Sequence, residues 1–199
     1  MEESYIKIYD HVLSDDLCDS LVNLYNKNLK YTYLHDQDYR RCNILSFPHT
    51  SIPESNNLFE QIRKLLHNLF DKYKKDIGSD GGGDTLNYAT LLENPNIICY
   101  NPNEEKSHHF NRHADNWNFD SSTRVVSVII YMNDVQEGGS TVFPNYKISI
   151  KPKKGSVLLF PSYFAYMHYG EAPISNQKYI IVSWIHFGDK PAKFKTVKL

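Results

Sequence analysis

The sequence has no excess of positive charge and no long apolar run. Its 199 residues carry 22 Lys and Arg against 23 Asp and Glu, which gives a formal net charge of -1. Bulk charge therefore gives no indication of nucleic acid binding. No stretch approaches the roughly 20 apolar residues that a membrane helix needs. Neither a nucleic-acid-binding protein nor a membrane protein is predicted.

Cysteine is also scarce. Cys18, Cys42 and Cys99 are scattered and form neither a CxxC pair nor a disulfide framework, which favours a reducing compartment. The segment from Met1 to Lys7 is acidic and lacks a long apolar run, so we predict no signal peptide. Together these absences predict a cytoplasmic protein.

The hydrophobic pattern changes its period along the chain, and internal repeats are absent. Two helices are predicted first, with Ser14 as the N-cap of one, and Ser51 as the N-cap of the other ahead of Pro53 in its first turn. After the glycine-rich segment 78–84 the period becomes two, and turn signals separate most of the candidate strands. These lie at 86–93, 96–101, 108–114, 124–133, 146–150, 156–161, 164–169 and 178–187. Two helices followed by many short strands predict a single α+β domain in which helices buttress a sandwich or barrel.

His113 and Asp115 are the residues that most directly indicate a function. Positions i and i+2 of a strand face the same way, so an imidazole and a carboxylate converge there. His168, from a distant strand, completes a set of two histidines and one carboxylate, which leaves metal positions open and is typical of non-haem Fe(II) oxygenases. An HxD pattern alone is common by chance, but its order with His168 and Lys178 favours metal binding.

Lys178 follows His168 by ten residues and begins the last long strand candidate. By parity it shares one strand face with Ile180, Val182 and Trp184. If this face points into a barrel, the ammonium group is buried among apolar side chains and needs an anionic partner, such as a dianionic co-substrate. A solvated lysine is the alternative, and the position after His168 favours the anchor.

Several ordered segments resemble one family. Segment 124–144, RVVSVIIYMNDVQEGGSTVFP, resembles the core of the prolyl 4-hydroxylase branch of the 2-oxoglutarate/Fe(II) dioxygenases, as do 151–155, KPKKG, and 178–184, KYIIVSW. Segment 12–18, VLSDDLC, resembles the start of that family's first helix. The resemblance implies a double-stranded β-helix, or jelly roll, with buttressing N-terminal helices. We accordingly expect one domain over 1–199, with a helical support region at 1–95 and a catalytic jelly-roll core at 96–188.

The resemblance also implies roles for individual residues. The Fe(II) ligands would be His113, Asp115 and His168. The co-substrate 2-oxoglutarate would be bound by Lys178 through its distal carboxylate, with Tyr100 and Tyr131 nearby and Thr141 and Trp184 lining the pocket. The implied cofactors are Fe(II), 2-oxoglutarate and O2, with ascorbate as an optional addition. The implied reaction hydroxylates a peptide or protein, most directly at proline, and releases succinate and CO2.

The substrate itself stays open at this stage. Another side chain, a free amino acid or an alkylated base would use the same chemistry, and a jelly-roll binding module without turnover is a further alternative. Tyr39, Arg40, Arg41 and Trp117 either contact a peptide substrate or lie in mobile loops.

Structural roles compete with functional ones at several of these positions. Ordinary strand packing is the alternative for Tyr131, Thr141 and Trp184. For His108 and His109 the alternatives are extra metal ligands and surface or loop histidines, and we favour the second. The loop before His113 is longer than in the family, and Phe110 occupies a position where tyrosine is common.

Overall fold

Two α-helices, four short 3-10 helices and a single thirteen-stranded sheet make up the regular structure of the described residues, which in this computed structural model are 5–78, 82–102, 107–188 and 196–199. The helices are α1 (Asp15–Lys27) and α2 (Pro53–Asp76). The strands are β1 (Lys7–Tyr9), β2 (Tyr33–Gln37), β3 (Arg40–Ser46), β4 (Ala89–Glu93), β5 (Asn96–Tyr100), β6 (His109–His113), β7 (Arg124–Tyr131), β8 (Thr141–Phe143), β9 (Ile148–Ile150), β10 (Val157–Pro161), β11 (His168–Gly170), β12 (Lys178–Phe187) and β13 (Thr196–Lys198). None of these helices is long and apolar enough to cross a membrane.

The first helix begins as predicted. The Ser14 side chain accepts a hydrogen bond from the Leu17 N–H at 3.2 Å, and Asp15 and Asp16 lie in the first turn, where the helix dipole favours negative charge. The apolar face of α1 buries Leu21 and Leu24.

The prediction that Ser51 caps the second helix is wrong. The N-cap of α2 is Ile52, which makes no side-chain capping bond, and Pro53 occupies the first helical position. Ser55 instead makes the side-chain hydrogen bonds at this end of the helix. Its hydroxyl donates to the Ile52 carbonyl at 2.6 Å and accepts from the His49 N–H at 3.0 Å. A buried serine within the first turn thus replaces the exposed one before it.

The sheet curls so that strands distant in sequence become neighbours. Its order is β1-β10-β7-β12-β5-β3-β6-β11-β8-β9, all antiparallel, with β2 on β3 and with β4 joining β12 to β13. The predicted α+β class is confirmed, and the curled sheet forms a jelly-roll-type core. The region before residue 96 contributes β1 to β4 as well as the two helices, and β3 pairs directly with β5 and β6.

Several strand predictions need correction at their ends. The segment predicted as a strand at 164–169 contains a 3-10 turn at Phe164–Tyr166, and β11 starts only at His168. The β2–β3 hairpin, β8 and β13 are not predicted by the sequence pattern. Strand β2 is largely exposed and carries no clear apolar alternation.

The buried side chains form two clusters on opposite faces of the sheet. The larger cluster lies between the sheet and the helices and includes Val128 and Ile130 of β7. The smaller cluster fills the inside of the curl and includes Ile129 and Tyr131 of the same strand. Each fully buried aliphatic side chain contributes about 1.5–3 kcal/mol to folding. Because β7 is buried on both faces, a polar side chain within it, such as Ser127, needs a hydrogen-bond partner.

Candidate active site

His113, Asp115 and His168 come together at the end of two neighbouring strands. His113 ends β6 and lies directly opposite His168, the first residue of β11. One potential ligand atom from each of the three residues lies within 4.8 Å of the other two. The Asp115 carboxylate lies 3.6 Å from His113 Nε2 and 3.8 Å from His168 Nε2. The structure therefore brings together the three residues that the motif spacing indicated.

Both imidazole rings are oriented by the backbone. His113 Nδ1 lies 2.7 Å from the Asn111 carbonyl oxygen, and His168 Nδ1 lies 3.1 Å from the Tyr166 carbonyl oxygen. A carbonyl only accepts, so each Nδ1 donates the hydrogen bond and each Nε2 is the ring nitrogen left for another ligand. Burial lowers the pKa of His168 to about 4, against the opposing effect of Asp115, so this imidazole is neutral at pH 7.

Asp115 is almost fully buried and is held from two sides. Its carboxylate accepts a hydrogen bond of 2.6 Å from the Ser127 hydroxyl, which in turn lies 2.9 Å from the Ser162 hydroxyl. Its backbone carbonyl accepts from the Arg124 guanidinium at 3.3 Å. Burial raises the pKa of Asp115, but His168, His113 and Ser127 outweigh it and hold the pKa below the usual range. The carboxylate is therefore ionised.

This donor set fits a divalent transition metal. Two imidazoles with Nδ1 bound to carbonyls and one ionised, hydrogen-bonded carboxylate have the orientation and second-layer support that metal ligands require. Three protein ligands on one side suit non-haem Fe(II), because they leave positions for other ligands.

Lys178 lies in the same cavity and is buried, with 2% of its surface exposed. Its ammonium donates to the Gly139 carbonyl at 2.6 Å and lies 5.5 Å from the centre of the Tyr100 ring. Gly139 has a φ of +73°, which only glycine adopts readily, so this turn can present its carbonyl to the lysine. Burial lowers the pKa of Lys178 to about 7, and Glu171 opposes that shift.

Two adjoining spaces border these groups. We call the first the inner cavity; its wall is formed by Arg40, Tyr100, Phe110, His113, Asp115, Ile129, Thr141, His168, Gly170, Lys178, Ile180, Val182 and Trp184. We call the second the outer groove; its wall is formed by Tyr39, Arg40, Phe110, His113, Ala114, Asp115, Trp117, Arg124 and Trp184. The parity prediction for β12 is borne out, because all four of its predicted inward residues line the inner cavity.

Of the other residues predicted to lie near 2-oxoglutarate, three line the inner cavity and one lies behind its wall. Tyr100, Thr141 and Trp184 line the inner cavity. Tyr131 stands behind that wall: it is fully buried, its hydroxyl donates to Thr141 at 2.8 Å, and its ring centre lies 5.8 Å from the Lys178 ammonium. Its observed contacts are thus those of a residue that positions Thr141 and Lys178.

The sequence pattern missed several residues at the site. Ser127 interrupts an otherwise apolar strand, and that single hydroxyl was the available signal. Phe110 stacks on His113, with ring centres 3.5 Å apart. His108 lies in the loop before β6, which is one of its two predicted positions, but it is fully buried and not at the surface, and its Nδ1 accepts a hydrogen bond from the Asn101 N–H at 3.1 Å. Residues 103–106 of the long loop lie outside the described part of the chain.

A buried ionic cluster supports the outer groove from behind. Glu93 accepts hydrogen bonds from Arg124 at 2.9 and 2.7 Å, and its carboxylate lies 2.9 Å from His186 Nε2. The guanidinium carbon of Arg124 lies 3.6 Å from the centre of the Trp184 ring. These contacts fix Arg124, which in turn holds the backbone of Asp115 and one face of Trp184.

The strands that carry the site match a known family. Residues 95–186 match the model of the 2OG-Fe(II) oxygenase superfamily, in which 2OG is 2-oxoglutarate. Among curated proteins, the chain is 26% identical to prolyl 4-hydroxylase 2 and 24% identical to probable prolyl 4-hydroxylase 4 of Arabidopsis thaliana. Each alignment covers 90% of this chain and 66% of the relative. The chain thus spans about two thirds of the length of these relatives.

Solved structures show the same fold. A viral collagen prolyl hydroxylase from Paramecium Bursaria Chlorella virus-1 superposes with a TM-score of 0.68 at 21% identity, covering 94% of this chain and 98% of that chain. A Pseudomonas putida prolyl-4-hydroxylase superposes with a TM-score of 0.67 at 16% identity, covering 94% and 95%. The predicted jelly-roll fold is confirmed. Over the strands that carry the site the chain is similar to the 2OG-Fe(II) oxygenase superfamily, and over 90% of its length it is similar to a prolyl 4-hydroxylase.

Proposed function

We propose that this protein is an Fe(II)- and 2-oxoglutarate-dependent dioxygenase that hydroxylates prolyl residues in a peptide or protein. The observation that carries the proposal is the convergence of His113, Asp115 and His168 beside the buried Lys178 in one cavity. The match to the 2OG-Fe(II) oxygenase family model and the similarity to prolyl 4-hydroxylases support the same chemistry.

We assign the metal to the Nε2 atoms of His113 and His168 and to the Asp115 carboxylate. When bound, Fe(II) supplies the redox chemistry by which O2 and 2-oxoglutarate become succinate, CO2 and a hydroxyl group on the substrate. Ser127 and the Asn111 and Tyr166 carbonyls keep the three ligands oriented.

Lys178 binds the distal carboxylate of 2-oxoglutarate in this proposal. An ammonium group buried among apolar residues is unfavourable without an anion, and a carboxylate would neutralise it in a site that excludes water. Tyr100, Thr141 and Trp184 enclose the co-substrate, and Tyr131 holds Thr141 in place.

The outer groove receives the substrate. Tyr39, Trp117 and Trp184 give it flat apolar surfaces next to the metal ligands, and Trp117 is 76% exposed. Aromatic faces suit the rigid apolar ring of proline and cost little conformational entropy on binding. A prolyl hydroxylase from Trichoplax adhaerens was solved with a peptide fragment bound, which supports a peptide as the ligand here.

Three further statements belong to the proposal. The chain acts as one domain in which 1–95 support 96–188, as the pairing of β3 with β5 suggests. Ascorbate serves as an optional reductant. The protein works in a cytoplasmic, reducing environment, which the three buried free cysteines suit.

The test is succinate production from 2-oxoglutarate by Fe(II)-loaded protein, with and without a proline-rich peptide. Peptide-stimulated turnover, a peptide mass increased by one oxygen atom, and loss of both in His168→Ala are expected. Slow turnover that no peptide stimulates would move the substrate to another class. Absence of turnover with bound iron would refute the enzyme assignment.

A further inference from the structure

Arg40 occupies an unusual position between the two spaces of the site. It begins β3, pairs in register with Phe110 of β6, and lines both the inner cavity and the outer groove. Its guanidinium carbon lies 4.6 Å from the centre of the Phe110 ring, which itself stacks on His113. A permanent positive charge therefore stands one aromatic ring away from a metal ligand.

This charge has no acidic partner among the residues that the structure describes. Its neighbours are the Tyr100 hydroxyl and the Cys42 thiol, and Arg40 Nε is buried without a hydrogen-bond acceptor. The other guanidinium that borders the outer groove, that of Arg124, is neutralised by Glu93. Arg40 is partly buried, and a cation withdrawn from water without a counter-charge is unfavourable, so Arg40 is suited to a ligand that supplies one.

Charge balance indicates which ligand this is. A divalent metal and the Lys178 ammonium carry three positive charges, and Asp115 with dianionic 2-oxoglutarate carries three negative charges. The metal and its co-substrate thus leave the site neutral without Arg40. The positive charge of Arg40 is therefore not neutralised by the metal ligands or the co-substrate. An anionic group of the substrate, bound in the outer groove, would neutralise it.

We propose that Arg40 recognises a carboxylate of the substrate, so that the peptide carries an Asp or Glu side chain close to the hydroxylated residue. The inference rests on the proposed function and specifies its substrate class. The planar fork of a guanidinium suits a carboxylate in two-point contact. Trp184 Nε1, which is also buried without a partner in the described chain, lies in the same wall and can donate to a peptide carbonyl.

The test uses pairs of proline peptides that differ only by Glu or Gln, with the variable residue moved from two positions before the proline to two positions after it. Binding is measured by calorimetry on protein loaded with Mn(II) and 2-oxoglutarate, and hydroxylation by mass spectrometry on the Fe(II) form. We expect the Glu peptide to bind at least about tenfold more tightly at one or more positions, which is about 1.4 kcal/mol and no more than a close charge pair at an interface contributes.

Variants of Arg40 test whether this residue causes the preference for Glu peptides. Arg40→Gln should abolish the Glu preference, and Arg40→Lys, which keeps the charge but not the fork, should retain part of it. Arg63→Gln removes an equal charge from the exposed face of α2, where Arg63 pairs with Glu60, and should leave the preference intact. Thermal unfolding checks that each variant is folded, and the peptide comparison on the native protein needs no variant.

The outcomes separate the two proposals. Hydroxylation of Glu and Gln peptides with equal affinity would overturn the role of Arg40, as would an Arg40→Gln variant that loses affinity for 2-oxoglutarate but keeps the Glu preference. A Glu preference in binding without hydroxylation would support Arg40 and refute the proposed reaction. No binding of any peptide would overturn both.

Discussion

Replacing Lys178 by Met should weaken 2-oxoglutarate binding while leaving the metal site intact. The substitution keeps the length of the side chain and removes the ammonium, which is 2% exposed and donates to the Gly139 carbonyl at 2.6 Å. Removing one partner of a buried charge pair costs about 2–5 kcal/mol, which corresponds to about 30-fold or more in affinity. We expect the lower end, because the free lysine is already partly neutral at pH 7.

The same lysine gives a pH dependence with a definite sign. Burial lowers its pKa to about 7 in the free protein, so the ammonium is present below that pH and is lost above it. The anion binds the charged form, and the dissociation constant of 2-oxoglutarate should therefore rise with pH above 7, by up to about tenfold per unit. In Lys178→Met that dependence should disappear.

Calorimetric titration of 2-oxoglutarate into Mn(II)-loaded protein from pH 6 to 9 measures both effects. Lys151→Met, which removes an exposed lysine after β9, serves as the matched control and should behave as the native protein. An unchanged dissociation constant in Lys178→Met, or the same pH dependence in both proteins, would show that the distal carboxylate is held elsewhere.

Three other substitutions test other parts of the site. Asp115→Ala should abolish succinate production and metal binding but leave the cooperative thermal transition, because a ligand is lost and the β-strand scaffold is not; full activity in this variant would exclude Asp115 as a ligand. Ser127→Ala removes the 2.6 Å hydrogen bond to Asp115 and should weaken Fe(II) binding by about 10-fold to 100-fold, as a metal-buffered titration would measure. Trp117→Ala should raise the KM for a peptide substrate and leave peptide-independent turnover of 2-oxoglutarate unchanged; an unaltered KM would place the peptide outside the groove.

The sequence predicted the metal-ligating candidates better than it predicted their surroundings. The spacing of two between His113 and Asp115 predicted that their side chains converge, although β6 ends at His113 and Asp115 lies two residues beyond that end. The parity of β12 correctly predicted which of its residues face the inner cavity. Such patterns depend only on residues close together in the sequence, so they can be interpreted without knowledge of the fold. His168 was recognised through its order with Lys178, although its strand begins later than predicted.

What the sequence could not predict depends on contacts across the sheet. Arg40 and Phe110 meet because β3 pairs with β6, a register that the mixed pattern of residues 31–48 does not reveal. Ser127 reaches Asp115 across the curl of the sheet, and the signal for that contact is only a single hydroxyl in an apolar strand. The sequence left open whether Tyr39, Arg40 and Trp117 were mobile or lined a substrate site, and the structure places all three in the outer groove.

The pairing of β6 with β11 has a consequence for how the protein is made. His113 and Asp115 are synthesised well before His168, and the strand that carries His168 is held in place by β6 and β8. Because a chain is synthesised from its N-terminus, a growing polypeptide that ends before β11 offers a metal only two of its three ligands. The set of three candidate ligands is therefore complete only after His168 has been synthesised, and a chain interrupted before β11 would lack one of them.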